Sequence, residues 1–490
     1  MIATPDKLVW LAVLVPFVGA LVIPLFRHAP NLREAVTLIT SGILCLLAFC
    51  LLGPVLGGAR PEALVLDVAP GLSLAFQVEP LGMLFALVAS TLWIVNSVYS
   101  IGYMRAHNEP RQTGYYTCFA VAIGSAIGIA FAKNLFTLFL FYELLTISTY
   151  PLVTHNRTAE AMRAGRLYLL LLLGTSLLLF LPAIIATWVF AGTLDFTPGG
   201  ILGGKAGATA ITVLLALYVF GIGKAAVMPM HFWLPAAMVA PTPVSALLHA
   251  VAVVKAGVFT VLKVVIYIFG IDALAANGAS IWLVYVAAAC ILLASLIALS
   301  KDNLKARLAY STVSQLAYVV LGAALSTTSG AMGGAVQIAM HAAGKITLFF
   351  CAGAIYVATH KTEVSEMNGL GRTMPFTFFA FLLGSLSIIG LPPFGGTWSK
   401  WWLTLAALDA GHLVVVAVLM ASSLLNVGYL LSIVGRAFFL PPVDGTAVTG
   451  IKEAPLACVV PLMLTALGCV VLFFQVDTIT ALIGGALRTP

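Results

Sequence analysis

Charged side chains are scarce in this sequence, and their scarcity excludes an ordinary soluble globular protein. Only 8% of the 490 residues are charged and 61% are hydrophobic, whereas soluble domains are about 25% charged. Runs of about 20 apolar residues recur from end to end, and each is long enough to cross a bilayer as a helix. The sequence therefore predicts a polytopic helical membrane protein, whose first run belongs to this pattern rather than to a cleaved signal peptide.

Clustered cysteines and nucleotide-binding motifs are also missing. The seven cysteines are scattered, form no CxxC pair and lie near no histidine cluster of metal-ligand spacing. We expect them to be small apolar fillers within helices. We therefore expect no metal or other cofactor on this chain, and we interpret the net charge of +7 as a topology signal rather than a sign of nucleic-acid binding.

Apolar segments predict fourteen membrane spans. They cover residues 8–26, 35–56, 80–104, 114–132, 134–154, 164–192, 208–230, 242–269, 279–299, 304–325, 332–359, 374–408, 411–440 and 455–475. Two of them contain helix-breaking signals, since 208–230 runs into Pro229 and Pro235 and LPPFGG (391–396) interrupts 374–408. Breaks at membrane depth need neighbours or a wet cavity to satisfy the backbone, and a pair of them points to a transport site.

The positions of Lys and Arg test this count, because cytoplasmic loops are enriched in them. With both termini outside, fourteen of the 24 basic residues fall in inner loops and five on the outer side. The inner set is Arg27, Arg33, Arg105, Arg111, Arg157, Arg163, Arg166, Lys301, Lys305, Arg307, Lys361, Arg372, Arg436 and Lys452, and the outer set is Lys7, Arg60, Lys133, Lys205 and Arg488. We expect a multi-pass protein of the inner (plasma) cell membrane with both termini on the outer side.

Acidic side chains are nearly absent from the spans, although lysines are not. Sixteen of the 17 acidic residues lie in loops or termini, and the exception, Glu143, lies near the centre of the fifth span. Five lysines lie within spans: Lys224, Lys255, Lys263, Lys345 and Lys400. A central charge costs about 2.5–3.5 kcal/mol on insertion scales, so function is the default interpretation. The structural alternatives are an ion pair that holds two helices and a lysine that snorkels from a helix end.

Glu143 and Lys224 are the best candidates for an ion pair, because each lacks an opposite charge in its own helix. The carboxylate favours the charged lysine and burial favours the neutral one. Making and breaking the pair would therefore switch Lys224 between holding and releasing a proton. Lys263 instead fits the snorkelling alternative, since it lies near the end of its span.

Two histidines accompany the other lysines. His249 and Lys255 are six residues apart and are turned by about 240° on an ideal helix, so that one would face Lys224 and the other the next repeat. His341 and Lys345 are four apart and share a helix face. A neutral imidazole both donates and accepts, which suits a proton relay, although a lone intramembrane histidine can also be a packing residue.

Lys400 follows the LPPFGG break by four residues and has no other charge in its span. The candidate site residues are thus Glu143, Lys224, His249, Lys255, His341, Lys345 and Lys400. This basic, protonatable set with one acid suits proton transfer through the membrane interior. It is poorly suited to a sodium cage, a metal centre or a hydrolytic triad.

Five stretches of the sequence carry a family resemblance. They are FYELLTISTYPL, GKAAVMPMHFWLPAAMVAPTPVSALLHAVAVVKAG, DNLKARLAYSTVSQLAYVVLG, HAAGKITLFFCAG and GLPPFGGTWSK. They resemble the antiporter-like subunits shared by respiratory complex I, membrane-bound hydrogenases and the Mrp-type multisubunit Na+/H+ antiporters. The resemblance covers about residues 114–408.

The resemblance implies an all-α fold of about fourteen transmembrane helices, with two inverted five-helix repeats and broken helices 7 and 12. It implies a three-helix segment at 1–113, a first repeat at 114–270 (helices 4–8), a second repeat at 271–441 (helices 9–13) and helix 14 within 442–490.

The resemblance also implies roles for individual residues. Glu143 and Lys224 match the ion pair of the family, and His249 and Lys255 match a site at a broken eighth helix. Lys345 matches the central lysine, and Lys400 matches the terminal site toward the outer exit. Protons would be taken up from the cytoplasm, pass along this axis and leave outside.

The length of the chain and Lys400 fit the D component of the Mrp antiporters or its hydrogenase equivalent. We therefore expect a proton-translocating subunit of a multisubunit cation/proton antiporter. Its expected partners are other membrane subunits, the lipid bilayer, H+, and Na+ or K+. The alternative within the family is a redox-driven pump, whose electron-transfer sites would lie on other subunits. An alternative of another class is a non-transporting scaffold, against which the full set of charged residues argues.

Overall fold

Helices built from the apolar runs dominate the computed structural model, which describes residues 4–442 and 450–487. Within these residues, eleven helices are long and apolar enough to cross a membrane, and three further apolar helices are shorter. Arg488, which we expected on the outer side, lies outside the described residues. The prediction of a polytopic helical membrane protein is confirmed.

The main elements follow the predicted spans closely. They are α1 (Pro5–Phe26), α2 (Pro30–Leu56), β1 (Glu62–Ala69), β2 (Leu72–Gln77), α3 (Pro80–Ala106), α4 (Gln112–Ala130), α5 (Leu135–Val153), α6 (Ala159–Ala191), α7 (Ala208–Gly221), α8 (Thr242–Phe269), α9 (Ile281–Ser300), α10 (Leu304–Ala324), α11 (Thr328–Thr359), α12 (Pro375–Ile389), α13 (Gly396–Asp409), α14 (Leu413–Phe439), α15 (Leu456–Phe474) and α16 (Val476–Leu487). Each predicted span corresponds to one helix or, for the twelfth, to the pair α12 and α13.

Local sequence signals set many of the helix starts. The helices α1, α2, α3 and α12 each begin at a proline, whose missing N–H costs nothing in the first turn. The side chain of Asn134 accepts a hydrogen bond from Thr137 N (2.8 Å) at the start of α5, and Asn303 accepts one from Ala306 N (3.1 Å) at the start of α10. These caps satisfy backbone donors that the helices leave unpaired.

Both predicted helix breaks are present. The helix α7 ends at Gly221, and Lys224 lies in the short turn Gly223–Ala225 that follows it. The backbone of this turn packs on α8 so closely that a Cβ on Gly257 would lie 2.3 Å from Ala225 N. Residues 390–395 separate α12 from α13. The division into two inverted repeats stays a prediction, although a break precedes a buried lysine in each half.

The hairpin of β1 and β2 was not predicted. Its strands pair antiparallel, with Glu62 opposite Gln77. The hairpin packs on the start of α5, where Ala75 N donates to Thr137 Oγ1 (3.0 Å) and Lys133 N donates to Ala75 O (3.0 Å). Most of β1 is exposed, so its sequence lacks the clear alternation by which a half-buried strand is recognised.

The charged residues gather at two opposite ends of the helix bundle, as the positive-inside count requires. At the end rich in basic residues, Arg105 pairs with Glu34 and Arg111 donates to His155 O (2.6 Å). At the end that carries the hairpin, Lys133 pairs with Glu62 (2.8 Å). The two-sided arrangement fits an even number of crossings, while the assignment of the basic end to the cytoplasm rests on the sequence rule.

The expectation that Lys263 snorkels to the surface is wrong. Its side chain is fully buried near the end of α8, and its ammonium lies 3.3 Å from Glu79 Oε1 and donates to Ala132 O (2.9 Å). Glu79 also caps α3 and accepts a hydrogen bond from Tyr267 OH (2.8 Å). The sequence analysis placed Glu79 in a loop. It lies directly before α3, so its carboxylate reaches Lys263 within the bundle.

Replacing Lys263 by Met should destabilise the protein, because it leaves the carboxylate of Glu79 buried without its cationic partner. Loss of one member of a buried pair costs about 3–5 kcal/mol. We expect a lower melting temperature for purified Lys263→Met, and no change for Lys205→Met, whose side chain is exposed. A Lys263→Met protein that melts with the wild type would show that the pair does not stabilise the fold.

Candidate functional site

Lys224 is anchored on α5, the helix that carries Glu143. Its ammonium donates to Tyr142 O (2.9 Å) and to Thr146 Oγ1 (2.5 Å), and it lies 3.2 Å from the centroid of the Tyr142 ring. The break after α7 makes this possible, since it bends the chain so that Lys224 N donates to Tyr142 OH (3.2 Å). The cation is thus held by a carbonyl, a hydroxyl and an aromatic face.

Glu143 lies next to this anchor but does not close the predicted ion pair. The structure shows no ion pair between Glu143 and Lys224, and both carboxylate oxygens of Glu143 are buried with no hydrogen bond to a described residue. A buried carboxylate without a partner is costly. The role of this pair as a switch stays a prediction.

Lys255 and His341 join α8, in the predicted first repeat, to α11, in the predicted second repeat. Lys255 Nζ on α8 lies 2.6 Å from His341 Nδ1 on α11, and both side chains are buried. The same distance serves two protonation states, because a charged lysine donates to Nδ1 and a neutral lysine accepts from an Nδ1–H. A proton can therefore transfer directly between α8 and α11 at this contact.

We expected either His249 or Lys255 to face Lys224. His249 does not. Its ring lies 4.7 Å from that of Phe349 on α11, so His249 and Lys255 contact the same helix. The ideal-helix offset fails because Leu247–Val251 forms a π-turn and Ala252 departs from helical geometry, with φ −114° and ψ −70°. Both ring nitrogens of His249 are buried and make no hydrogen bond within the described chain.

Lys345 and His341 lie one turn apart on α11, as predicted. Lys345 Nζ donates to Ser311 Oγ (2.6 Å) and to Leu308 O (3.3 Å) on α10. Lys345 and Lys255 share His341 as a neighbour, since His341 contacts Lys255 and lies one turn before Lys345. Two buried ammonium groups repel each other, so this cluster favours a single shared charge over two.

Lys400 occupies the second break. Its ammonium donates to Ile389 O (2.7 Å), at the end of α12, and to Ser423 Oγ (2.9 Å) on α14. Between Lys345 and Lys400 lies a polar bridge that the sequence analysis missed. Its hydrogen bonds run from Ser399 Oγ to Gln337 Oε1 (2.5 Å) and from Gln337 Nε2 to Gln315 Oε1 (2.8 Å).

A cavity of about 260 Å³ opens beside the start of α8 at the basic end of the bundle. Its lining includes Glu109, Thr242 and Lys305, and Lys305 Nζ donates to Ala240 O (2.6 Å). Partial burial raises the pKa of Glu109. Burial also lowers the pKa of nearby His155, so their contact of 3.7 Å is not an ion pair at neutral pH.

The structure thus brings Lys255 and His341 together, with Lys345 one turn away on α11. Lys224 is held on α5 and Lys400 between α12 and α14, and no hydrogen bond or ion pair among the described residues joins Glu143 or Lys224 to the Lys255–His341 contact. Sequence reasoning missed the neutral members, above all Thr146, Ser311, Gln337 and Ser423. Hydroxyl and amide side chains are common in spans as local helix partners, so their type alone gave no signal. Thr146, one turn after Glu143, and Gln337, one turn before His341, could have been found from that spacing, whereas Ser311 and Ser423 lie on helices without a candidate residue.

A family model described as NADH:quinone oxidoreductase/Mrp antiporter, TM, matches residues 132–426. The chain is 31% identical over 418 residues to NADH-quinone oxidoreductase subunit N of Desulforudis audaxviator, in an alignment that covers 82% of each chain. It is 29% identical to hydrogenase-4 component B of Escherichia coli, over 81% of this chain and 62% of that one.

The chain is also 29% identical to the A/B subunit of a probable K(+)/H(+) antiporter of Rhizobium meliloti, over 84% of this chain and 40% of that one. It therefore spans less than two thirds of this relative and of the hydrogenase component.

Two solved structures share the fold. The structure of the Mrp complex from Dietzia sp. DQ12-45-1b contains a chain that superposes with a TM-score of 0.87 at 24% identity, covering 99% of this chain and 97% of that one. The membrane-bound sulfane sulfur reductase, an archaeal respiratory membrane complex, contains one with a TM-score of 0.86 at 25% identity, covering 98% and 96%. By the match to its family model and to subunit N, the chain belongs to the NADH:quinone oxidoreductase/Mrp antiporter family of membrane subunits.

Proposed function

We propose that this chain is the proton-translocating subunit of a multisubunit cation/proton antiporter of the Mrp type. The observation that carries the proposal is the contact of 2.6 Å between Lys255 Nζ and His341 Nδ1, which joins the two halves through groups that exchange a proton. A scaffold would gain little from a buried lysine–imidazole contact, because a buried charge is costly to hold.

The proposed route uses the chain's own side chains in spatial order. A proton is taken up at the basic end, beside the cavity that Glu109 and Lys305 line, and reaches the Lys255–His341 contact past His249. It passes to Lys345 and then, along the Gln315–Gln337–Ser399 bridge, toward Lys400. Amide side chains do not carry protons themselves, so we assign to this bridge the ordering of a hydrated segment.

Glu143 and Lys224 act as the switch of this route. When the Glu143 carboxylate approaches Lys224, which stays on Tyr142 and Thr146, it stabilises the charge of the lysine. When the carboxylate turns away, as in the present structure, it makes no hydrogen bond with Lys224 and proton release is favoured. The protein lies in the inner membrane with both termini outside and works with other membrane subunits of the complex.

A redox-driven pump is the second candidate. Both the relatives in sequence and the solved structures of similar fold include subunits of redox complexes. NADH-quinone oxidoreductase subunit N and hydrogenase-4 component B both match most of this chain. In that case the same route operates, and an electron-transfer arm on other subunits supplies the energy. Lys400 fits both candidates, and they differ in the driving force, since in the antiporter Na+ or K+ exchanges for protons.

Purification of the tagged protein from its native membranes separates the two candidates. We expect an assembly of small hydrophobic subunits without stoichiometric iron or flavin, and everted vesicles in which added Na+ or K+ dissipates a preformed pH gradient. Stoichiometric iron and flavin in the assembly, with no response to either cation, would contradict the antiporter and support the redox-driven pump.

Replacing Lys400 by Arg should stop transport although it keeps the positive charge, because a guanidinium does not release its proton in proteins. We expect the cation-dependent pH response of everted vesicles to fall at least about tenfold, as for Lys400→Met, which corresponds to about 1.4 kcal/mol in the barrier. Lys205→Arg, at an exposed position, is the matched control. Transport at the wild-type rate in Lys400→Arg would exclude proton release at this lysine.

Glu109→Gln should make transport more sensitive to alkaline pH. Burial raises the pKa of Glu109, against the smaller opposing effects of His107 and Arg111, so this carboxyl stays protonated to a higher pH than a surface carboxyl. Without it, proton uptake should slow several-fold at pH 8 and little at pH 6, where free protons are more abundant. Glu160→Gln, at an exposed inner position, should leave the pH profile unchanged, and an unchanged profile for Glu109→Gln would remove Glu109 from the route.

A further inference from the structure

Three of the buried lysines are held by the same pair of groups. Each ammonium donates to one backbone carbonyl and to one Ser or Thr hydroxyl on other elements of the fold. The three sets are Lys224 with Tyr142 O (2.9 Å) and Thr146 Oγ1 (2.5 Å), Lys345 with Leu308 O (3.3 Å) and Ser311 Oγ (2.6 Å), and Lys400 with Ile389 O (2.7 Å) and Ser423 Oγ (2.9 Å). We call them the carbonyl–hydroxyl cradles.

The other two buried lysines have different partners. Lys263 lies against the carboxylate of Glu79, and Lys255 lies against the imidazole of His341. A carboxylate fixes the charge of its lysine, which suits the stabilising role of Lys263. The cradles contain no carboxylate, so they do not fix the lysine in its charged, protonated state.

The two groups of a cradle respond differently to loss of the proton. A carbonyl only accepts, and both an ammonium and a neutral amine can donate to it. A hydroxyl also donates, so it accepts from the ammonium and, after a rotation of its O–H bond, donates to the lone pair of the amine. The carbonyl therefore anchors the nitrogen in both states, and the hydroxyl matches whichever state is present.

Two of the hydroxyls have an alternative acceptor for their hydrogen while the lysine is charged. Thr146 Oγ1 lies 3.3 Å from Tyr142 O, the carbonyl one turn earlier in α5. Ser311 Oγ lies 2.8 Å from Tyr429 OH, which donates in turn to Asn426 Oδ1 (2.5 Å). Rotation of either hydroxyl thus exchanges one hydrogen bond for another and leaves no buried group unpaired.

We propose that Thr146, Ser311 and Ser423 are positioning residues that hold Lys224, Lys345 and Lys400 in place in both the charged and the neutral state. The inference rests on the proposed proton translocation and specifies how its lysines lose and regain a proton without losing their site. The proton leaves from Nζ, the nitrogen keeps its electron pair, and the hydroxyl hydrogen turns toward that pair.

The test compares isosteric variants in the assembled complex in everted vesicles. Thr146→Val removes the hydroxyl and keeps the shape, and it should slow transport on the order of tenfold, the value of one hydrogen bond to a charged group. Because the charged lysine loses the stronger bond, the pH profile of transport should move toward lower pH. Thr146→Ser should restore both the rate and the profile.

Thr260→Val is the matched control, because the Thr260 hydroxyl is buried and bonds only to Ala256 O (2.7 Å) in its own helix among the described contacts. Wild-type rate and pH profile in Thr146→Val, or a Thr146→Ser variant as slow as Thr146→Val, would overturn the inference. If Thr146→Val does not assemble, Ser311→Ala, with Ser125→Ala as its control, decides by the same criteria.

Lys224→Met separates this inference from the proposed function. If Lys224→Met is inactive while Thr146→Val and Ser311→Ala transport like the wild type, the cradle inference fails and proton translocation stands. If Lys224→Met itself transports at the wild-type rate, the proposed switch at Lys224 fails, and with it the cradle at that lysine.

Discussion

The burial of five lysines in a membrane bundle with almost no carboxylates is the constraint on which the rest of the structure depends. An ammonium in low-dielectric surroundings needs acceptors, and among the described contacts only Lys263 finds a carboxylate, on Glu79. The others depend on backbone carbonyls, hydroxyls and one imidazole. The contact between Lys255 and His341 is central, because it joins α8 to α11, which belong to different predicted repeats.

The helix breaks follow from this constraint. The interior of a helix offers a cation only carbonyls that the helix already uses, as Tyr142 O and Leu308 O do for Lys224 and Lys345, whereas a helix end leaves carbonyls free. The end of α12 leaves Ile389 O free to accept from Lys400, and the turn after α7 brings Lys224 onto α5. Irregular backbone at membrane depth is tolerated where buried neighbours satisfy its polar groups. Here the ammonium of Lys400 satisfies the free carbonyl of Ile389, and that carbonyl in turn satisfies the ammonium. The breaks are thus part of the site rather than defects of the fold.

The sequence predicts most of this architecture, because apolar runs, prolines and the positions of basic residues are strong local signals. All fourteen spans have a counterpart in the structure, and the second break occurs where LPPFGG indicated it. The first break begins after Gly221, eight residues before Pro229, so that Lys224 lies outside the helix that was predicted to contain it. Partners across the bundle were harder to predict. The π-turn at Leu247–Val251 changed the direction of His249, and Glu79 reached Lys263 from a loop far away in sequence.

The neutral residues of the site could not be predicted for a related reason. Thr146 and Ser311 look like the many hydroxyls that bond to their own helix, and only tertiary packing places them against a lysine. The Glu143–Lys224 pair shows the opposite case. The sequence suggested a direct contact, but in the structure Lys224 binds Tyr142 and Thr146 instead of Glu143. Residue type and span position thus identified the charged groups, whereas their distances and partners came from the packing.

The most direct test of the central claim is a double-mutant cycle on Lys255 and His341, measured as proton transport by the assembled complex in everted vesicles. If a proton passes between these two groups, Lys255→Met and His341→Phe should each abolish most of the transport. The double variant should then be no slower than either single variant, because the two act as one unit. Independent, multiplicative losses, or wild-type transport in either single variant at normal assembly, would contradict a proton route through this contact.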